Sequence, residues 1–164
     1  MLKEKIEANF KQALKEKKEA ELSVLKMLKA DIINREKEKR YDLSKERTNL
    51  NEEEIDKESA LTDEEVLSVV ISKIKKSRES IAGFEKGGRK EMAEKERKEI
   101  EVLQSYLPEQ LSGEEAKKMA VEIIEKTGAQ DIKDMGKVMS ELMPKTKGRI
   151  ESGLVSRIVK ELLS

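Results

Sequence analysis

The sequence contains no cysteine and no histidine among its 164 residues. Without cysteine there are no disulfides and no thiol catalysis, and without histidine the chain lacks the commonest zinc ligand and the commonest general base near neutral pH. It also has no glycine-rich phosphate-binding loop and no serine in the strained turn that exposes a nucleophile. We therefore expect a chain that is not catalytic on its own and that carries no metal or organic cofactor.

Aromatic residues and proline are scarce as well. There are two Phe, two Tyr, no Trp and two Pro, whereas charged residues make up 43% of the chain and apolar residues 36%. A core with so few aromatic rings must consist of Leu, Ile, Val and Met, which suits thin layers of helices. Because Glu, Lys, Leu and Ala favour helices and few breakers interrupt them, we predict an all-α fold with long helices.

Charge and hydropathy limit the class of partner. Lys and Arg together number 35, as do Asp and Glu, so the net charge is zero and any attraction to nucleic acid must be local. No apolar run approaches the length of a membrane span, and the first residues lack the apolar core of a signal peptide. We expect a cytoplasmic protein with no membrane partner.

Helical spacing of apolar residues organises the N-terminal part of the chain. It predicts a first helix over residues 2–14, a turn at 15–19 and a second helix from residue 22 onward. The charged run at 35–40 is interpreted as a solvated helix face. Residues 41–60 lose the periodicity and are acidic. This favours a mobile linker or a short helix over a hard-cation site, because nothing there resembles the fixed geometry of a calcium loop.

A helical hairpin is predicted next. The capping box Thr62-Asp-Glu-Glu65 begins a long helix that ends at Gly87-Gly88. A further helix over 90–106, with Met92 among its buried residues, ends because of Pro108. We expect the two helices to pack antiparallel. The first also carries four basic residues that are either solvent-facing or part of an anion-binding surface: Lys73, Lys75, Lys76 and Arg78.

The segment Pro108-Glu-Gln-Leu111 marks the best domain boundary. We predict an N-terminal helical domain over 1–108 and a C-terminal domain over 109–164. A second capping box, Ser112-Gly-Glu-Glu115, begins the tail. Three short helices are predicted in this tail, one that stops at Gly128, one capped by Asp131 and one opened by Glu151 or Ser152. Together they form a small bundle.

The most distinctive stretch is a basic turn within the tail. Residues 137–160 hold six basic side chains (Lys137, Lys145, Lys147, Arg149, Arg157 and Lys160) against the acids Glu141 and Glu151. We predict that Pro144 and Gly148 shape a turn whose cations act with the free amides of the next helix as a phosphate grip. A soluble basic loop is the alternative. Because the tail has no aromatic residue, binding there would depend on backbone shape and not on base stacking, as expected for structured RNA.

The helix before the turn carries methionines on its apolar face. Met135 and Met139 fall on that stripe, so we expect them in the core. Gly136 lies between them, where glycine costs about 1 kcal/mol relative to alanine. Close contact with another helix would explain this glycine, and so would the approach of a ligand.

Several segments of the sequence resemble the YqeY family. In the tail these are Asp134-Met-Gly-Lys-Val-Met139 and Met143-Pro-Lys-Thr-Lys-Gly-Arg149, and upstream they are Ser80-Ile-Ala-Gly-Phe-Glu-Lys-Gly-Gly-Arg89 and Tyr106-Leu-Pro-Glu-Gln-Leu111. The resemblance covers nearly the whole chain and departs from the family pattern at Ile150-Glu-Ser-Gly153. It implies an N-terminal long-helix hairpin domain followed by a small C-terminal three-helix bundle.

The tail also resembles the C-terminal domain of the B subunit of glutamine-dependent tRNA amidotransferase. This resemblance implies association with tRNA or another structured RNA, and with amidotransferase or tRNA synthetase components. The parts that hydrolyse glutamine and activate the acyl-tRNA are missing from this chain. The candidate nucleic-acid-binding residues are five cations of the tail: Lys137, Lys145, Lys147, Arg149 and Lys160.

Three hypotheses of function are compatible with these patterns. The first is a non-catalytic accessory protein that binds tRNA or another structured RNA, and it is favoured by the local positive charge. The second is a component or effector of a carbon-nitrogen ligase that uses glutamine as amido-N-donor, and it rests on the resemblance alone. The third is a helical protein-protein adaptor, which long amphipathic helices with a balanced surface charge allow.

Overall fold

A computed structural model describes residues 1–47 and 49–164. The described residues form eight α-helices and one short 3₁₀ turn, with no strand among them, which confirms the all-α prediction. The helices are α1 (Leu2–Glu16), α2 (Glu19–Glu46), α3 (Glu52–Ser59), α4 (Asp63–Lys86), α5 (Lys90–Gln104), α6 (Gly113–Thr127), α7 (Met135–Thr146) and α8 (Ser152–Leu162). Within the described part of the chain, no helix has the length and apolarity needed to cross a membrane.

The chain divides into two compact units, Met1–Tyr106 with α1 to α5 and Leu107–Ser164 with α6 to α8. In the N-terminal unit, α4 and α5 form a helical hairpin around Gly87 and Gly88. Gly88 has a φ of 70°, a left-handed conformation that favours glycine, and the Arg89 amide donates to the Phe84 carbonyl at 2.8 Å. This tight closure returns the chain directly along α4.

The core of the N-terminal unit is almost entirely aliphatic. Its buried hydrophobic residues are Ile6, Ala13, Val24, Leu25, Leu28, Ile32, Leu61, Val66, Val70, Ile74, Ala93, Ile100, Leu103 and Tyr106. Tyr106, just beyond α5, is the one aromatic residue among them. Its hydroxyl accepts a hydrogen bond of 2.8 Å from the Asn9 side chain on α1, and Lys5 Nζ donates to the Ser105 carbonyl at 3.2 Å. These contacts attach the end of the hairpin to α1.

The acidic stretch contains a helix. Asn51 caps α3 by accepting a hydrogen bond of 2.9 Å from the Glu54 amide, and the Glu54 carboxylate accepts one of 2.9 Å from the Asn51 amide. The remaining acids of the first turn lie where the helix dipole favours negative charge. Among the described residues, no three acidic side chains are grouped so that they could hold a metal ion.

Two arginines, one within α2 and one just after it, form ion pairs with acidic residues of α3. Arg40 lies 3.1 Å from Asp56, and Arg47, just beyond the end of α2, lies 2.7 Å from Glu58. Helix α2 contains the charged run at 35–40 and continues for six further residues to Glu46. The negative charge of 41–60 therefore helps to hold α3 beside α2.

The C-terminal unit is a bundle of three helices with its own aliphatic core. The capping box of Ser112 and Glu115 begins α6, and Gly128, with a φ of 66°, ends it. The buried residues of this core are Ala116, Ala120, Ile123, Val138, Leu142, Val155, Ile158, Val159 and Leu163. Met135 and Met139 pack against it from the edge, in agreement with their predicted role.

Some large apolar residues lie outside the cores. Leu14, Met92 and Ile132 are 57%, 47% and 44% exposed. Leu14 directly follows the buried Ala13, and Met92 directly precedes the buried Ala93. One residue corresponds to a rotation of about 100° around the helix, which turns both side chains away from the core. Ile132 lies in the 3₁₀ turn Ile132–Asp134, outside α7. The prediction that Met92 is buried is therefore wrong.

Gly136 does not pack closely against another helix, which was one of its two possible explanations. It is the second residue of α7, and a Cβ added there would meet nothing within 4 Å. Close packing of another helix is therefore not the reason for this glycine.

We expect Tyr106→Phe to lower the free energy of unfolding of the N-terminal unit by about 1 kcal/mol, because the Asn9 amide loses its hydrogen-bond partner. Amide hydrogen exchange of α1 and α5 in the full chain measures this change. Tyr41→Phe is the control, since Tyr41 is exposed. Equal protection of α1 in the two variants would contradict the anchoring role of Tyr106.

Candidate nucleic-acid interface

The predicted basic turn begins later than its sequence suggests. α7 continues through Pro144 and ends at Thr146, so Lys145 lies on the last turn of the helix. The chain then reverses over residues 147–151, which we call the basic turn together with Lys145. Gly148 has a φ of 73°, and the Thr146 carbonyl accepts from the Arg149 amide at 3.0 Å. Gly148 shapes the turn as predicted, whereas Pro144 does not.

Thr146 anchors the start of the basic turn. It is buried, and its hydroxyl donates to the Leu142 carbonyl at 3.0 Å. Its own carbonyl also accepts from the Ile150 amide at 3.3 Å. The end of α7 is thereby fixed to the core on one side and to the turn on the other.

A segment distant in sequence holds the basic turn from outside. The Leu111 amide donates to the Arg149 carbonyl at 2.6 Å, and the Gln110 side-chain amide donates to the Gly148 carbonyl at 2.7 Å. Arg149 Nε donates in return to the Glu109 carbonyl at 3.1 Å. We call these three hydrogen bonds the clasp. It fixes the turn backbone before any ligand arrives.

The sequence indicates only a domain boundary at residues 108–111 and does not predict the clasp. The two halves of the clasp are 38 to 40 residues apart. No periodic or capping pattern links such distant positions.

The three cations of the turn differ in their surroundings. Lys145 is exposed and forms no ion pair with a described residue, because the nearby Glu141 is paired with Lys126 of α6 at 2.7 Å. Lys147 is exposed. Arg149 is half-buried and spends one guanidinium N–H on the clasp. Lys145 and Lys147 are therefore the side chains best able to reach a phosphate.

The other two predicted residues lie elsewhere. Lys137 is near the start of α7 and pairs with Asp134 at 2.8 Å, and this contact raises the pKa of Lys137 and lowers the pKa of Asp134. Lys160 is exposed near the end of α8. Each is about 13 Å along its helix from the basic turn. The structure therefore brings three of the five predicted cations together and leaves two apart.

The start of α8 is less open to an anion than predicted. Its N-cap residue is Glu151, and a carboxylate oxygen of Glu151 lies 3.9 Å from where a Cβ of Gly153 would stand. The negative side chain thus lies over the first turn of the helix, where it interacts favourably with the helix dipole itself. A phosphate at this turn must be held mainly by the lysines.

Comparison with known proteins identifies a family. A family model described as Yqey-like protein matches residues 47–163, which confirms the family resemblance found in the sequence. A protein of Pyrenophora tritici-repentis (strain Pt-1C-BFP), named altered inheritance of mitochondria protein 41, mitochondrial, is 27% identical over 165 residues. That similarity covers 97% of this chain and 79% of the relative.

We expect Gln110→Ala to weaken the clasp, because both hydrogen bonds of the Gln110 amide, to the Pro108 and Gly148 carbonyls, are lost. The protection of the Leu111 amide against hydrogen exchange should fall by about 0.5 to 1 kcal/mol, the usual value for such bonds. Gln130→Ala, at an exposed position of the same unit, is the control. Unchanged protection of Leu111 in the first variant would show that the clasp does not stabilise the turn.

The C-terminal unit should lose stability at acid pH. Lys137 lowers the pKa of Asp134, the Ser112 amide lowers that of Glu115, and Lys126 lowers that of Glu141. These contributions are fully present above the unfolded pKa values of about 4 and disappear as the pH falls through the lower folded values. With no histidine, the thermal midpoint followed by circular dichroism should be constant from about pH 6 to 8. A sharp change in that range would contradict this account.

Proposed function

The chain belongs to the Yqey-like protein family, and on that basis we propose that it is a non-catalytic accessory protein that binds tRNA or another structured RNA through its basic turn. The observation that carries the proposal is the clasp, which holds a turn with three cations in one conformation. A backbone that is already ordered loses less conformational entropy on binding.

The chemistry of the basic turn suits phosphates more than bases. Lys145 and Lys147 provide exposed point charges, and Arg149 provides further guanidinium donors beside them. The whole C-terminal unit has no aromatic residue on which a base could stack. Contacts to phosphates position a protein on RNA without reading its sequence, so a folded RNA with a fixed phosphate spacing is the expected partner.

The resemblance of the tail to the end of the tRNA amidotransferase B subunit supports the choice of tRNA. It also suggests amidotransferase or tRNA synthetase components as protein partners. The relative from Pyrenophora tritici-repentis is named for mitochondrial inheritance, and its name places that relative in mitochondria. For this chain we propose the cytoplasm, and fractionation of cells that express the tagged protein tests it.

Filter binding of unmodified tRNA at about 50 and 200 mM salt tests the proposed function. If about three phosphates are contacted, the affinity should fall on the order of tenfold to fiftyfold between these salt concentrations. Lys145→Ala combined with Lys147→Ala should weaken binding at low salt and reduce the salt slope by about two. This pair spares the Arg149 side chain and therefore the clasp.

The matched control is Lys117→Ala with Lys118→Ala, an equal charge change at exposed positions of α6. Glu151→Gln provides a test in the opposite direction, since removal of the carboxylate beside the turn should tighten binding. Equal tRNA affinity of the wild type and the Lys145/Lys147 variant at low salt would exclude the basic turn as the binding site.

A further inference from the structure

The hairpin of α4 and α5 carries a denser positive charge than the basic turn. Residues 73–90 contain seven basic side chains and two acidic ones, in a shorter stretch than the six and two of residues 137–160. The seven are Lys73, Lys75, Lys76, Arg78, Lys86, Arg89 and Lys90, and the two acids are Glu79 and Glu85. The sequence alone does not decide which of these charges are compensated.

Ion pairs inside the N-terminal unit leave most of this positive charge available. Lys73 is partly buried and pairs with Asp31 of α2 at 3.0 Å, so its role is structural. Glu85 forms an ion pair with Arg97 of α5, so one of the two acidic residues does not neutralise the basic residues of 73–90. Five of the basic residues are exposed and form no ion pair with a described residue: Lys75, Lys76, Lys86, Arg89 and Lys90.

An open groove lies on the same hairpin, with Arg89 in its lining, Lys76 one helical turn before its residue Ser80, and Lys86 directly before its residue Gly87. It has a volume of about 410 Å³ and is lined by Ser80, Gly83, Phe84, Gly87 and Arg89. Ser80, Gly83 and Gly87 share one face of α4, because residues three, four and seven apart lie above one another on a helix. The groove is therefore lined by a helix face with small side chains, by one aromatic ring and by one guanidinium group.

Packing against other described residues does not require a glycine at position 83. Gly83 lies inside a helix of 24 residues, and a Cβ added there would meet nothing within 4 Å. Glycine at such a position costs about 1 kcal/mol relative to alanine. The missing side chain leaves the floor of the groove open to close approach by atoms of a ligand.

We propose that this groove binds a single-stranded segment of RNA, with phosphates on Lys76, Lys86 and Arg89 and a base against Phe84. The choice of RNA as the class of ligand rests on the proposed function, but the site stands on different residues in the other unit. Grooves that combine cations with an aromatic ring are typical of single-strand binding, whereas the C-terminal unit, which has no ring, suits folded RNA.

A protein partner fits this surface less well. Lysine is depleted in protein-protein interfaces, and the apolar part of such an interface needs more than one half-buried ring. The groove lining offers only Phe84 as a large apolar side chain. The cations around it instead match the regular negative charge of a phosphodiester backbone.

Fluorescence anisotropy with a labelled oligouridylate of about twelve nucleotides, a length within the usual single-strand site size, tests the proposal on the full chain at low salt. Lys76→Ala with Lys86→Ala and Arg89→Ala should weaken binding at least about tenfold and reduce the salt slope by about two to three. The control is Lys11→Ala with Lys26→Ala and Lys37→Ala, three exposed lysines of the same unit, which should keep the affinity within about twofold.

Gly83→Leu blocks the groove without changing charge. Because leucine is a better helix former at this open position, the variant should unfold at the same or a higher temperature while binding the oligouridylate at least about fivefold more weakly. Ala82→Leu, at the neighbouring exposed position of α4, is its control. Together the two variants separate loss of the site from loss of the fold.

The outcomes distinguish this site from the basic turn. We expect the Lys145/Lys147 variant to keep its affinity for the oligouridylate and the Lys76/Lys86/Arg89 variant to lose it. Oligouridylate binding that is absent in the wild type, or that is unchanged in both groove variants, would overturn the inference whatever happens with tRNA. Binding to phosphatidylserine vesicles without binding to the oligouridylate would overturn it as well.

Discussion

The helices of this chain other than α3 each bury only a narrow aliphatic stripe, and the fold depends on the rotation of that stripe toward its neighbours. Since 43% of the residues are charged, a helix rotated by one residue would bring charged side chains into the core. Caps determine the residue at which a helix begins. Three capping boxes fix such starts: Asn51 with Glu54, Thr62 with Glu65, and Ser112 with Glu115. Each such cap contributes about 1 kcal/mol.

The same constraint determines where positive charge remains for function. Most ion pairs here are exposed, so each contributes at most about 1 kcal/mol to stability. Their larger effect is on the distribution of charge. Arg97 engages Glu85, and Lys126 engages Glu141, so acids that stand beside the two basic surfaces are neutralised by cations from neighbouring helices. A chain with no net charge thereby keeps two local regions of positive charge.

Much of the fold could be predicted, because helix periodicity, capping boxes and glycine caps act over a few residues. Prediction fails where tertiary contacts, and not these local patterns, determine the structure. Pro144 lies within α7 although its missing N–H costs the helix one hydrogen bond, because Leu142 and Thr146 on either side of it are buried and hold the last turn against the core. The sequence does not decide between a linker and a helix at α3, because that helix is short and has little apolar periodicity. Its Asn51 cap is the local signal that favours the helix.

The site was less predictable than the fold. The three adjacent cations of the basic turn are neighbours in sequence, so their proximity was evident. The pairing of Lys137 with Asp134 follows from i, i+3 spacing and was a readable signal. The clasp, in contrast, joins residues 109–111 to 148–149, and no local pattern encodes a contact over that separation.

The two basic surfaces differ in the chemistry that they offer. The basic turn offers ordered backbone and cations without an aromatic ring, whereas the groove of α4 offers a cation with Phe84. Contacts to phosphates position a protein on RNA without reading its sequence, and stacking on an aromatic ring tolerates every base. If both proposed sites bind RNA, recognition therefore depends on the folded shape and on a free strand, and it requires no base-specific hydrogen bond.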